Sequence, residues 1–358
     1  MEKLRVAIVG CGGIANGKHM PALKKVGQAE MVAFCDLIEE KAVKAAEKFG
    51  VPGAKVTTDY MEIANDPDID VVHVCTPNRS HSFITIACLE GGKHVMCEKP
   101  MAKTADEAKK MLETAKKTGK KLTIGYQNRQ CFDHQLLKKM SEEGKFGEIY
   151  FAKAHAIRRR AVPTWGVFMN EYEQGGGPLI DIGTHALDLT LWTMNNYEPA
   201  MVVGSAFRKL ADTKQAANAW GPWDPEKFTV EDSAFGFIKM KNGATIILES
   251  SWALNTTDEG EACTTVCGTK GGATTKGGLV VNGEEYGTLY THKMEQSGGV
   301  AFYEGFSSDP SVSEARQWIK SIIEDKDPCV LPEQALVVSQ ILEAIYTSSK
   351  TGKPVFFD

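Results

Sequence analysis

The sequence predicts a two-domain α/β chain in which a doubly wound parallel sheet comes first and an α+β domain on a large, mostly antiparallel open sheet comes second. Three observations carry this. The 358 residues exceed what one hydrophobic core comfortably serves. From residue 4 to about 126, short apolar runs alternate with segments of helical period, the mark of parallel strands joined by crossover helices. Beyond the Gly144 and Gly147 punctuation the extended segments lengthen, as strands of an antiparallel sheet do. The expected domains are residues 1–126 and 127–358.

Taken in order, the first-domain strands are expected at Leu4 to Val9, Glu30 to Cys35, Asp70 to Cys75, His94 to Cys97 and Leu122 to Tyr126. Thr104 and Glu107 make a capping-box pattern ahead of Ala108, Met111, Leu112 and Ala115, a helix that closes near Gly119. A further helix is expected at about Phe132 to Glu143. Extended segments follow at Ile149 to Ile157, Met201 to Phe207, Ser233 to Met240 and Thr245 to Trp252. The last two flank Lys241-Asn242-Gly243, where Asn-Gly is expected to supply the positive φ angles of a tight hairpin turn. Helical period returns at Ser313 to Glu324 and Pro332 to Lys350, without showing which domain these helices join.

Hydrophobic residues at 42% and charged residues at 24% describe an ordinary globular protein. A formal net charge of -5 offers no excess of positive charge for phosphates, which argues against nucleic acid as a partner. No run of residues is long and apolar enough to span a bilayer, and no export signal is visible near Met1, so a cytoplasmic location is expected. Nine scattered cysteines, an odd number, read as buried small side chains and not as a disulfide framework. Cys263 and Cys267 lack a second pair of ligands, and no metal is expected.

Gly10-Cys11-Gly12-Gly13-Ile14-Ala15 follows the first strand and opens a helix, matching G-x-G-x-x-G/A with alanine in third place. The glycines permit the tight turn and close approach of a pyrophosphate, and the helix amino terminus meets its charge. Asp36 ends the second strand 21 residues beyond Ala15, where a carboxylate accepts hydrogen bonds from an adenosine ribose and repels a 2′-phosphate. Strand, turn, helix and carboxylate together predict a Rossmann domain binding NAD in preference to NADP, although Asp36 in isolation also reads as a helix cap before Ile38.

Asp181, His185 and Asp188 lie at i, i+4 and i+7, so a helix beginning near Pro178 presents all three on one face. An imidazole there suits proton abstraction from an alcohol, and Asp181 is placed to orient it or to accept a substrate hydroxyl. Asp188 reads as structural.

The glycine turn, Cys75-Thr76-Pro77-Asn78 followed by His81, Glu98-Lys99-Pro100 and Asp181-Ile-Gly-Thr-His185 occur in the order and approximate spacing of the Gfo/Idh/MocA family, which the chain resembles across both domains. The resemblance implies an NAD-dependent sugar or polyol oxidoreductase acting on a CH-OH group. It implies Lys99, His185 and Asp181 as catalytic residues, with either Lys99 or His185 taking the proton. Gly10, Gly12, Gly13, Ile14, Asp36, Thr76, Pro77, Asn78, His81, Glu98, Lys99 and Gln127 are expected to border the cofactor. Lys99, Asp181, His185, Arg158, Trp165, Asn170 and Tyr172 are expected at the substrate, with Trp165 offering a flat face to a pyranose ring and Arg129 a weaker candidate in the same cleft.

The Arg158-Arg-Arg160 and Pro163-Thr-Trp165 stretch is similar to members acting on glucosides, anhydrosugars or inositols, some of which form 3-keto sugars. Two other functions fit the same motifs: glycoside cleavage through transient C3 oxidation and elimination, and a non-catalytic NAD- or sugar-sensing regulator. Retention of Lys99, Asp181 and His185 argues against the regulator, which needs a pocket but no proton-transfer groups. A homo-oligomer is expected by resemblance, through the open sheet face that carries Phe235, Phe237 and Ile247.

Overall fold

The computed structural model describes residues 3–214, 217–295 and 309–358. The chain divides into two compact units, Met1–Gln130 with Phe302–Leu336, and Cys131–Ala301 with Val337–Asp358.

Among the described residues the first unit holds six strands: β1 (Leu4–Val9), β2 (Ala29–Cys35), β3 (Lys55–Thr57), β4 (Val71–Val74), β5 (His94–Cys97) and β6 (Leu122–Ile124). All pairings are parallel, in the order β3-β2-β1-β4-β5-β6. The strand order reverses between β1 and β4, so Gly10 and Cys75 stand at the switch point where doubly wound sheets bind ligands. Strand β3 has no counterpart in the sequence prediction, because three residues at a sheet edge are too few to show a period. The capping box forms: Thr104 Oγ1 accepts from the Glu107 amide at 3.2 Å, and Glu107 Oε2 accepts from the Thr104 amide at 3.3 Å. That helix, Ala105–Thr118, ends at Gly119 with φ of 66°. The helix Pro310–Ile323 packs in this unit, where Val312, Ala315, Trp318 and Ile319 join Val6, Ile8, Met20 and Leu23 in one core.

The second unit holds β7 (Ile149–Ile157), β8 (Pro199–Phe207), β9 (Ser233–Met240), β10 (Thr245–Ser251), β11 (Gly260–Gly268), β12 (Gly271–Thr274), β13 (Val280–Glu285), β14 (Thr288–Lys293) and β15 (Val355–Phe356). Their order is β14-β13-β12-β11-β7-β10-β9-β8-β15, with β10 and β7 parallel and the other pairs antiparallel. Strands β11 to β15 have no counterpart in the sequence prediction, and for β14 the reason is exposure. β14 is open to solvent along nearly its whole length, so it carries no apolar alternation to detect.

The β9–β10 hairpin forms, but its turn differs from expectation. Only Gly243 has positive φ, at 92°. Asn242 instead accepts the Ala244 amide at its Oδ1, 3.1 Å, and the Gly243 amide bonds the Met240 carbonyl at 3.0 Å. One left-handed glycine after a tight turn makes the three-residue loop that ranks next after two-residue hairpins.

One face of this sheet presents Ala152, Ala154 and Ala156 of β7 with Ile246 and Leu248 of β10, all buried. The helix Thr184–Met194 lies against β7 and β11 and is buried on every side from Thr184 to Thr193, His185 and Asp188 included. On the opposite face Phe237 and Val203 are exposed, with Phe235 and Ile247 half-buried. Among the described residues no helix is long and apolar enough to cross a membrane, and no group of His, Cys, Asp and Glu is arranged to hold a metal ion.

Candidate functional site

The glycine turn is built as the motif requires. Gly10 has φ of 92°, and a Cβ there would stand 2.7 Å from the Cys75 backbone, so only glycine fits. Among the described residues, and apart from the turn's own backbone, no atom lies within 4 Å of where side chains would begin at Gly12 and Gly13, leaving a space that a pyrophosphate can enter. Ala15 is wholly buried against the strand layer. The turn leads into a π-helical segment, Ala15–His19, and then into the short α-helix Met20–Lys24. Asn16 braces the turn, its Nδ2 donating to the Cys11 and Gly12 carbonyls at 2.9 and 3.0 Å. Asp36 accepts the Cys11 amide at Oδ2, 2.8 Å, and the Ile38 amide at Oδ1, 2.9 Å, so it both ties down the turn and caps its own loop.

Behind the turn lies a buried polar network. Lys18 Nζ donates to Glu98 at 2.6 Å and is 2.9 Å from Glu314 on the helix Pro310–Ile323. It also donates to Gln127 Oε1 at 3.2 Å. His19 Nε2 meets Glu98 Oε1 at 2.7 Å, and its Nδ1 meets His73 Nδ1 at 2.9 Å. Glu98 Oε2 accepts the Lys99 amide at 3.1 Å, which ties the lysine backbone to the network, and the Lys99–Pro100 peptide that follows is cis. Burial acts to raise the Glu98 carboxyl, but Lys18 and His19 outweigh it and hold it well below the usual carboxylate range. For Glu314 burial wins over Lys18, and the carboxyl is raised. Burial, reinforced by His19 and Lys18, holds His73 neutral.

In the second unit, the expected helix from Pro178 does not run as a regular α-helix. A π turn spans Leu179–Gly183 before the α-helix Thr184–Met194, the Thr184 amide reaching the Leu179 carbonyl. Such wide turns concentrate at functional sites. The turn carries Asp181, and the α-helix carries His185 and the wholly buried Asp188. Trp252, itself buried, donates its indole Nε1 to Asp181 Oδ2 at 3.1 Å. Arg158 stands 3.9 Å from the same carboxylate oxygen and is clamped by Glu261 through two 2.6 Å hydrogen bonds.

Glu231 caps the start of this helical segment. Its carboxylate accepts the Gly177 amide at 2.9 Å, the Leu179 amide at 3.1 Å and the Tyr346 hydroxyl at 2.8 Å. A Cβ at Gly176 would meet Tyr346 Oη, and one at Gly177 the Glu231 carbonyl, so this close approach demands the glycine pair. Burial pushes the Glu231 carboxyl up from 4.5 to about 7, against the donors that favour its charged form. The folded state therefore holds this proton more tightly than the unfolded chain does. Stability from this group is full at low pH and falls as pH rises from about 4.5 through about 7, by roughly 3 kcal/mol in all. Melting scans from pH 5 to 8 are expected to show this decline and to lose that component in Glu231→Gln; an identical decline in the variant contradicts the assignment.

Two family models match the chain: residues 4–126 match one described as oxidoreductase family, NAD-binding Rossmann fold, and residues 138–357 one described as oxidoreductase family, C-terminal alpha/beta domain. The chain belongs to the Gfo/Idh/MocA oxidoreductase family. It is 37% identical over 353 residues to D-glucoside 3-dehydrogenase of Escherichia coli, covering 98% of this chain and 97% of that protein. It is 29% identical over 278 residues to levoglucosan dehydrogenase of Pseudarthrobacter phenanthrenivorans, covering 70% of this chain and 68% of that one. A solved structure of levoglucosan dehydrogenase with NADH and levoglucosan shares the fold at a TM-score of 0.83, with 23% identity and 99% of each chain covered. So does aldose-aldose oxidoreductase from Caulobacter crescentus, at 0.81 with 24% identity, over 99% of this chain and 100% of that one.

Against the family motifs, several expected site residues prove to have protein partners that define their work. His81 is buried, its ring nitrogens 2.8 Å from the Pro100 carbonyl and 2.9 Å from the Thr76 carbonyl, so it links the two loops that follow β4 and β5. Glu98 faces inward to Lys18 and His19. Arg129, expected in the cleft, is instead wholly buried and donates to the Cys329 carbonyl and Gln334. Asn170 caps the short helix Glu171–Gln174, its Oδ1 accepting the Glu173 amide. Trp165 and Tyr172 are exposed. Lys18, His19, His73, Glu314, Glu231 and Trp252 were not signalled by any motif. The available hint was local: a charged or polar side chain in an otherwise apolar helical stripe, as at Lys18-His19 before Met20, Ala22 and Leu23.

Proposed function

We propose that this chain oxidises a secondary hydroxyl of a glucoside, at C3, to the keto sugar, with NAD as electron acceptor. The glucoside and the carbon are supported by the likeness, over 98% of the chain, to a protein named D-glucoside 3-dehydrogenase. The chemistry rests on one observation above the others: Asp181, four residues before His185, is held by Trp252 and Arg158, on a chain whose Lys99 backbone is fixed to a buried carboxylate.

The glycine turn fits a dinucleotide. Besides the open space at Gly12 and Gly13, Thr76 Oγ1 is buried beside that turn with no hydrogen-bond partner among the described residues. The backbone of Gly12, Gly13 and Ile14 would hold the pyrophosphate, Asp36 the ribose, and Thr76, Pro77 and Asn78 the nicotinamide side. Bound NAD supplies the acceptor for the hydride. Either His185 takes the hydroxyl proton as the C-H bond breaks while the Lys99 ammonium stabilises the developing alkoxide, or a neutral Lys99 amine takes the proton itself. Asp181, with Arg158 holding it in place, keeps the acid–base set oriented. The alcohol thus yields a ketone, NADH and a proton.

NAD is favoured over NADP because Asp36 is followed by Leu37 and Ile38, exposed at 85% and 53%, and not by arginine. Assay of nicotinamide reduction against glucosides, anhydrosugars, inositols and free hexoses tests the reading. Turnover is expected on glucosides with NAD, with NADP at least about tenfold poorer in kcat/KM and that gap narrowed in Asp36→Ala. Preference for NADP, or turnover confined to inositols, contradicts it. We also read the exposed Phe237 and Val203 face as the contact with a second copy, which sedimentation checks; a mass of one chain contradicts that reading.

A further inference from the structure

The loop after β7 and the loop leading to β9 place two tryptophans at right angles near Asp181. Trp165 and Trp220 have ring centroids 4.8 Å apart and planes at 82°, and Phe168 closes on Trp165 at 5.9 Å. Both indoles stay open, at 51% and 44% exposure. A pair of half-open tryptophans is an unusual use of the residue type, which gains most when buried.

The corner is continuous with the acid–base group. The Arg158 guanidinium lies over the Trp220 ring, 5.2 Å from its centroid, and the same group is 3.9 Å from Asp181. One arginine therefore fixes the distance between the carboxylate and the aromatic corner, and Glu261 fixes the arginine. The two loops are knitted together. Asn218 accepts the Val162 amide at 2.8 Å and donates to the Val162 carbonyl at 2.9 Å. The Ala219 amide reaches the Arg160 carbonyl at 3.0 Å, and Thr164 Oγ1 donates to the Trp220 carbonyl at 2.7 Å. The corner is thus held ready before any ligand arrives.

We propose that Trp220 and Trp165 form an aglycone subsite that takes a flat aromatic group attached to the anomeric carbon of the glucoside. This rests on the glucoside reading above. The anomeric carbon is two carbons from C3, and Arg158 joins Asp181 to the Trp220 ring, so a glucoside bound with C3 at Asp181 would have its aglycone within reach of the corner. The occupant is aromatic and not a second sugar, because the side-chain donors of Thr164 and Asn218 at the corner are already spent on the carbonyls of Trp220, Val162 and Gly221, which leaves the two indole faces as the main surface offered.

The test compares phenyl glucoside, methyl glucoside and cellobiose as substrates of the full-length protein and its variants. In Trp220→Ala the kcat/KM ratio of phenyl to methyl glucoside is expected to fall about tenfold, carried by KM. Trp220→Phe, which keeps a ring, is expected to recover most of that ratio. Loss of the Arg158 stack would weaken all substrates alike and cancels in the ratio. Equal losses on phenyl and methyl glucoside, a fall in the cellobiose ratio in place of the phenyl ratio, or no change because another chain covers the corner would each overturn the subsite. Absence of nicotinamide reduction by the unaltered protein on all three substrates would overturn the glucoside reading itself, and is distinguishable from these.

Discussion

Lys99→Ala lowers kcat by about a hundredfold to a thousandfold if the ammonium stabilises the alkoxide as proposed, since loss of one group aimed at a developing oxyanion costs about 10² to 10³. Its backbone is pinned by Glu98 Oε2 beside the cis Lys99–Pro100 bond, so truncating the side chain leaves the loop anchored. His185→Ala is expected to cost about 10² to 10⁴ in kcat, with the NAD dissociation constant little changed. The pH profile separates the two residues. Whichever variant loses the limb that rises with pH has lost the proton acceptor, and the other keeps the limb at a lower plateau. Retention of turnover within about tenfold in both variants would contradict the assignment.

The second large effect is on stability. Lys18 is buried between Glu98 and Glu314, which together raise its pKa above the ordinary lysine value in spite of burial. Lys18→Met leaves two buried carboxylates facing one another with no ammonium between them, and removal of one partner from a buried ion pair costs about 3 to 5 kcal/mol. Glu314 Oε1 has no hydrogen-bond partner among the described residues, and its carboxyl is already raised, so it is the member that takes up a proton first. The first transition in urea is therefore expected to shift strongly downward in Lys18→Met. It is expected to recover in part when Glu314→Gln is added, which removes the stranded charge. A double variant no more stable than the single one contradicts the network's role.

Those residues mark where the sequence ran out. Gly10 to Ala15 and Asp36 are legible because a strand, a turn and a helix follow one another locally, and Gly10 answers a steric demand while Gly12 and Gly13 leave open space. Strands β1, β5, β7 and β9 appear at their expected bounds, their apolar patterns being set by burial. Lys18 and Glu314 come together from nearly three hundred residues apart, and Trp252 reaches Asp181 across 71, pairings that one sequence does not encode in any local pattern. The one-face argument for Asp181 and His185 assumed regular α-helical spacing, which the π turn at Leu179–Gly183 replaces. Arg158 reads from sequence as a sugar ligand, whereas the structure commits its guanidinium to Glu261, Asp181 and Trp220.

The most direct test of the central claim follows one atom. A methyl glucoside carrying deuterium at C3 is incubated with the protein and NAD, and the nicotinamide product is analysed by mass and by NMR. Direct hydride transfer predicts NADH bearing the deuterium at C4 of its ring, in equal amount to a 3-keto glucoside. Unlabelled NADH, or release of methanol with no net NADH, would contradict it.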